Sequence, residues 1–298
     1  MVKDNPIYSI CICNYNMAET IEQSLVSVLE QIDNRYEVLL LDDGSSDDSV
    51  SIVKGLQKKY HNLRLLALKR DRKRFLGETR NMSIREARGK YVILHVDTDD
   101  VWGPFIDDFV SVFHKLEDCM NKDFLLSGQQ INLGRKDFLL SHGPYRNIYH
   151  TEDRDMWLRL ASVDAYQPIQ HVVFRDRLKR PTKTKIYRLL KDTIYHLIND
   201  MLTRDHPRKY VYFRLKNLFI KSEVHFLVSL VSFLAVIPCY FITKFMDPFP
   251  IPDNMKNGEF YPYREKENGT YSEIMERNSG SSDLSFLKPD AQAIFANK

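Results

Sequence analysis

Three short acidic runs hold the residues of this chain that could do chemistry: Asp42-Asp43-Gly44-Ser45, Asp97-Thr98-Asp99-Asp100 and Glu152-Asp153-Arg154-Asp155. Carboxylates this close together repel one another unless a hard cation sits between them, and Mg²⁺ or Mn²⁺ held there would also bind the diphosphate of a nucleotide. A phosphate site made of protein alone would use a glycine-rich loop and a lysine, and neither G-x-G-x-x-G nor the P-loop pattern occurs here. Each of the first two runs, taken singly, also reads as a solvated acidic turn, because Asp and Ser are ordinary turn residues. The third run opens a helical pattern. A carboxylate there can take the proton of a hydroxyl nucleophile as general base, and Asp153 is the residue assigned that role. Glu152 and Asp155 point to other faces of the helix. The plainer alternative is an acidic helix start placed for its dipole, with Thr151 as cap.

The elements that must position these acids alternate. Ile7 to Cys13 is an apolar run of strand formers, and Thr20 to Ile32 places Ile21, Leu25, Val28, Leu29 and Ile32 at helical spacing. Glu37 to Leu41 reads as a buried strand, followed by a helix reaching Tyr60. Leu63 to Leu68 is a third strand, Glu78 to Ala87 a helix and Tyr91 to Val96 a fourth strand. This alternation predicts an α/β fold with a mostly parallel sheet covered on both faces. In such folds ligands bind beyond the carboxyl ends of the strands, where the first two acidic runs stand.

In their joint order the runs resemble family 2 glycosyltransferases, over about Pro6 to Leu160. Ser9-Ile-Cys-Ile-Cys-Asn-Tyr-Asn16 with Glu19 is similar to that family's first strand and base-binding loop, and Glu37 to Asp47 to its second-strand signature. Gly77 to Asn81 and Ala87 to Asp100 match the approach to its D-x-D metal motif, and Glu152-Asp153 its acceptor-side E-D motif. The resemblance implies an inverting enzyme with a GT-A catalytic domain, Rossmann-like with a mostly parallel central sheet. It also implies a donor-binding set of Cys13, Tyr15, Glu19, Asp42, Asp43, Arg80, Asp97 and Thr98, a metal held by Asp99 and Asp97, and Asp153 as catalytic base. The donor would be a UDP or GDP sugar. Cys13-Asn14 departs from the proline and threonine of many members. The Q-x-x-R-W motif of processive synthases is absent after Asp153, which favours transfer of a single sugar.

Beyond the acidic helix the composition changes. Arg175 to Lys191 holds eight basic residues against Asp176 alone, and Ile186, Leu189, Leu190, Ile194, Leu197, Ile198, Met201 and Leu202 follow at helical spacing, as in an interfacial helix whose charges meet lipid phosphate or the donor's diphosphate, or as in a solvated basic face with its apolar stripe packed on the catalytic domain. Val224 to Thr243 is twenty residues without a formal charge, fifteen of them hydrophobic, and reads as a transmembrane helix, with a re-entrant or in-plane membrane helix and a buried core helix as the alternatives. Basic residues from Arg204 to Lys221 crowd its N-terminal flank. With an N-terminus that lacks a secretory apolar core, they predict a catalytic domain facing the cytoplasm. The expected organisation is thus 1–175 catalytic, 176–222 basic loop and interfacial helices, 223–246 membrane helix, and 247–298 a polar, partly disordered tail. Membrane lipids and a lipid-linked acceptor are the expected partners, because the short stretch between Asp100 and Glu152 suggests an open acceptor side.

The bulk properties set bounds. Hydrophobic residues at 43% and aromatics at 12% fit a folded chain, and four scattered cysteines fit a reducing compartment with Cys11 and Cys13 as a reduced core pair. A net charge of +3 does not by itself imply nucleic acid, and the basic run Lys69 to Arg74 lacks interleaved aromatics, so no nucleic-acid partner is expected. The competing readings are a non-catalytic membrane scaffold and a glycosyltransferase with a soluble acceptor.

Overall fold

The protein is described by a computed structural model that covers residues 5–142, 144–178, 185–202, 226–250 and 252–296. Its centre is a seven-stranded sheet in the order β3-β2-β1-β4-β7-β6-β8. The strands are β1 (Tyr8–Asn14), β2 (Tyr36–Asp42), β3 (Leu63–Ala67), β4 (Tyr91–Leu94), β6 (Leu125–Ser127), β7 (Asn132–Arg135) and β8 (Tyr166–Pro168). The pairs β1·β2, β2·β3, β1·β4 and β6·β8 are parallel, and β7 runs antiparallel to both β4 and β6. The expected mostly parallel α/β architecture is therefore present. A separate antiparallel pair joins β5 (Asp100–Trp102) to β9 (Arg175–Arg177).

Apolar periodicity places the covering helices. Helix α1 (Ile21–Leu29) buries Ile21, Leu25, Val28 and Leu29 against the sheet, each contributing about 1.5–3 kcal/mol. The other covering helices of this half are α2 (Ser49–Leu56), α3 (Leu76–Glu86) and α4 (Ile106–Met120), and α4 buries Phe109, Val112, Phe113 and Leu116 in the same cluster. Strand β2 is buried along its whole length, as a central parallel strand must be. Strand β4 stops at Leu94, short of the expected Val96, because His95 takes a positive φ of 66° and turns the chain out of the sheet.

The C-terminal residues differ from the expected mobile tail. After helices α5 (Lys136–Ser141), α6 (Glu152–Ala161), α7 (Lys185–Leu202) and α8 (Phe226–Thr243) come α9 (Phe260–Glu267), α10 (Tyr271–Arg277) and α11 (Pro289–Ala296). Tyr271, Ile274, Met275, Leu287, Ala291 and Phe295 join the main core cluster, and Phe260 the cluster on the other face of the sheet. Thr270 starts α10 with a capping box closed by Glu273. These apolar residues are too sparse to stand out by composition, yet each is spaced to reach the core.

The expected transmembrane helix is also corrected. Among the described residues no helix is long and apolar enough to cross a membrane. Helix α8 starts at Phe226, the first described residue of this stretch, and Val224 and His225 of the expected span lie outside the described residues. One of its sides is committed to protein, since Val236 and Cys239 are buried against Leu197 and Met201 of α7. The basic residues from Arg204 to Lys221, and Lys179, Arg180 and Lys183 of the basic loop, lie outside the described residues.

If the C-terminal helices are integral to the core, Phe295→Ala should cost about 3–5 kcal/mol, read as a lower denaturant midpoint with an unchanged slope. A mobile tail would give no change.

Candidate functional site

The carboxyl ends of β1, β2 and β4 meet at one edge of the sheet, and the predicted acids collect there. Asp42 ends β2 with its side chain almost wholly buried. It accepts from Asn14 Nδ2 (2.8 Å), from the backbone N–H groups of Gly44 (3.1 Å) and Ser45 (2.9 Å), and from the Ser45 hydroxyl. Its work in this structure is to fold the loop. Gly44 has a φ of +77°, and the Arg70 backbone lies so close that a Cβ there would collide with it, so the turn demands glycine.

Asp43 faces two cations. Arg74 Nε donates to Oδ1 at 2.6 Å, Arg70 pairs with Oδ2, and the Arg70 guanidinium also lies 4.5 Å from the ring centroid of exposed Tyr15. Two arginines of the run Lys69 to Arg74 are thus turned inward onto Asp43. Separation by some thirty residues hid this pairing from a linear reading of the sequence. Glu19 stands exposed in the turn before α1. Burial pushes the Cys13 thiol up to about 12 despite the opposing Arg80 cation, so it stays protonated beside the loop.

Beyond His95 the chain delivers the second acidic run. One carboxylate oxygen from each of Asp97, Asp99 and Asp100 lies within 4.8 Å of the others, and Asp99 and Asp100 are buried. Thr98 between them is buried as well. Burial raises the Asp97 pKa; Arg80 opposes the shift, and the Asp100 and Asp99 charges add to it. The counter-charge comes from β9. Arg175 reaches Asp100 at 2.7 Å, and Arg177 reaches Asp100 at 3.0 Å, Asp97 at 3.3 Å and Asp99 at 3.9 Å. The sequence pattern placed both arginines with a membrane-facing basic run; the β5·β9 pairing instead sets them on the acids. An all-carboxylate donor set suits Mg²⁺ or Mn²⁺, so the residues fit the cation expected here.

Helix α6 supplies the third run. Thr151 enters it at a positive φ of 63° and makes no side-chain capping bond, unlike the plain capping alternative. Glu152 is buried and paired with Arg80. Arg80, expected in the donor-binding set, is thereby committed beneath the cleft, its guanidinium 5.4 Å from the Tyr145 ring centroid. Asp155 is held by Arg146 (2.9 Å) and Arg159 (3.0 Å). Asp153 instead lines a cavity of about 180 Å³ together with His95, Asn132, Trp157 and Gln170. Arg264 and Asn268 close its far side, from a segment that the sequence pattern left outside the site. Burial, with Arg80 nearby, holds the His95 pKa well below its usual range, so the imidazole is neutral; its Nε2 lies 3.2 Å from the Tyr145 hydroxyl.

Comparison with known proteins bears on the family and the fold. The family model described as Glycosyl transferase family 2 matches residues 9–159, half of the chain. Chondroitin synthase of Escherichia coli is 28% identical over 255 residues, covering 73% of this chain, which spans only 36% of that protein's length. UDP-Glc:alpha-D-GlcNAc-diphosphoundecaprenol beta-1,3-glucosyltransferase WfaP of Escherichia coli is 25% identical over 182 residues, 52% of this chain and 70% of that one. Among solved structures, S. aureus TarS 1-349 in complex with UDP-GlcNAc superposes with a TM-score of 0.51 at 15% identity, covering 64% of this chain and 66% of the other. That likeness concerns the fold.

The Arg80–Glu152 pair gives a pH-dependent test. Burial raises the Glu152 pKa, and Arg80→Met would strand its carboxylate, costing about 3–5 kcal/mol at neutral pH. A raised carboxyl pKa disfavours the folded state as pH climbs through it. The deficit of Arg80→Met relative to the parent should therefore shrink as pH falls and Glu152 protonates, as measured by urea unfolding at several pH values.

Proposed function

Because the chain belongs to glycosyl transferase family 2, we propose that it moves one sugar from a nucleoside-diphosphate sugar, UDP- or GDP-linked, to a lipid-linked acceptor, inverting the anomeric centre. One observation carries this reading. The cavity lined by Asp153 is also lined by His95, in the turn that leads straight into Asp97 and Asp99, so Asp153 and the carboxylate cluster adjoin at one edge of the sheet.

In this reading Tyr15, Asp43 and the arginines around them receive the nucleoside, and Asp97 and Asp99 hold Mg²⁺ or Mn²⁺. When bound, that ion supplies Lewis-acid stabilisation of the departing diphosphate. Asp153 takes the proton of the acceptor hydroxyl as its oxygen bonds to the anomeric carbon and the bond from that carbon to the phosphate oxygen breaks. One displacement inverts the configuration.

A lipid-linked acceptor is supported by the likeness to WfaP, whose name carries a diphosphoundecaprenol substrate. The α7–α8 pair adds a surface for it. Phe233, Leu234, Ile237, Phe241 and Ile242 are exposed on α8, and Phe245 beyond it is 91% exposed with Lys244 beside it. This apolar row with basic neighbours suits an in-plane seat on an anionic membrane, at its cytoplasmic face.

Asp153→Asn should lower transfer by about 10²–10⁴-fold while manganese-dependent stabilisation by UDP or GDP persists in thermal unfolding; a scaffold would show no transfer in the parent protein. Asp99→Asn should instead remove that stabilisation. Replacing Phe241 and Phe245 together by Ser should release the protein from phosphatidylglycerol vesicles in a sedimentation assay, with unfolding temperature unchanged.

A further inference from the structure

The cavity beside Asp153 is walled partly by a segment outside the family-matched residues, and that wall is fixed rather than draped. Tyr263 donates its hydroxyl to Tyr166 O (3.1 Å), Gln167 Nε2 donates to Glu267 O (2.8 Å), and Gln170 N donates to Gly269 O (2.7 Å). Arg277, from α10, holds Glu267 O from the other side at 2.9 Å. The stretch from Tyr263 to Gly269 is therefore laced to β8 and the loop after it, and it carries Arg264 and Asn268 to the cavity.

Three polar atoms of the cavity's lining residues are buried without a hydrogen-bond partner among the described residues: Asn132 Nδ2, Trp157 Nε1 and Gln170 Oε1. Asn132 as a whole is only 2% exposed. Unmade hydrogen bonds of this kind cost about 1–3 kcal/mol each, and these three atoms lie within the wall of the cavity rather than on its surface. The Trp157 indole on the lining supplies an apolar face of the kind that a sugar ring packs on. A volume of about 180 Å³ is below the roughly 300–1,000 Å³ of drug-sized pockets and admits one ring rather than an oligosaccharide. The cavity's lining also carries a cation. The Arg264 guanidinium lies 5.9 Å from the Trp157 ring centroid and has no ion pair among the described residues.

We propose that this cavity binds the terminal sugar of the acceptor, that the sugar bears an acidic group, and that Arg264 and Asn268 select it. The proposal deepens the glycosyltransferase reading and rests on it for the sugar's role as acceptor. Its ligand class is a single pyranose with a carboxylate or phosphate directed at Arg264, where a charge-assisted bond discriminates best.

The chain has two tryptophans, Trp102 and Trp157, and Trp102 is buried in the core away from the cavity's lining. Titration of the full chain with methyl glucuronide and methyl glucoside should therefore change intrinsic fluorescence through Trp157, and the change should vanish in Trp157→Phe and survive in Trp102→Phe. The glucuronide should bind about fivefold or more tightly than the glucoside. Arg264→Ala should erase that preference, and Asn268→Ala should weaken both sugars, with unfolding temperatures held. Equal affinity for the two sugars in the parent protein, a preference that survives Arg264→Ala, or a signal that persists in Trp157→Phe overturns the proposal. Manganese-dependent stabilisation by UDP or GDP is measured on the same samples. Its loss alone counts against the glycosyltransferase reading, whereas its presence with no sugar signal counts against this site.

Discussion

The repulsion among carboxylates gathered at one edge of the sheet is the constraint that the rest of the structure answers. Asp97, Asp99 and Asp100 cannot all stay ionised at close quarters without positive charge nearby. In this structure the charge is delivered by protein. Arg175 and Arg177 reach the cluster because β9 returns to pair with β5, and Arg70 and Arg74 perform the same service for Asp43. Parallel strands bring the acids together, and chain segments far away in sequence must then come back to neutralise them.

A second consequence is division of labour among acids that look alike in sequence. Asp42 is saturated by donors from its own turn and from Asn14, so it shapes the loop. Glu152 and Asp155 are locked to arginines below and beside α6, leaving Asp153 as the member of that run on the cavity. Environment, more than residue type, separates scaffold from reagent. The positive φ angles of His95 and Thr151 stand where the chain turns into the site from β4 and into α6, and backbone strain of about 1–3 kcal/mol per residue is tolerated there because the surrounding packing fixes it.

What could be read from the sequence was local. The apolar period of α1 and the buried runs of β1, β2 and β4 prescribe their own elements, and the acidic runs fall at strand ends because that is where such chains turn. What could not be read was long-range. Nothing near Arg177 in the chain announces Asp100, and nothing near Arg264 announces Asp153. The C-terminal helices were misjudged for a related reason: Tyr271, Ile274 and Phe295 stand in short apolar groups within a polar stretch, and only the fold brings Phe295 onto Phe109, His171 and Phe174. Helix α8 misled in the opposite sense, since an uninterrupted apolar run does not say whether protein or lipid will cover it, and here α7 covers part.

Helix α7 also touches the site from behind. Asn199 Nδ2 donates to the carbonyls of Tyr149 and His150, and Asp192 accepts from the Tyr149 hydroxyl at 2.9 Å and lies 2.9 Å from His150 Nε2. These residues form the bend from which α6 springs. The helix pair carrying the apolar face and the peptide that aims Asp153 are consequently riveted to each other, and a force that tilts one is felt as a torque on the other. On the proposed function, the alignment of Asp153 is thereby indexed to whatever that apolar face is set against.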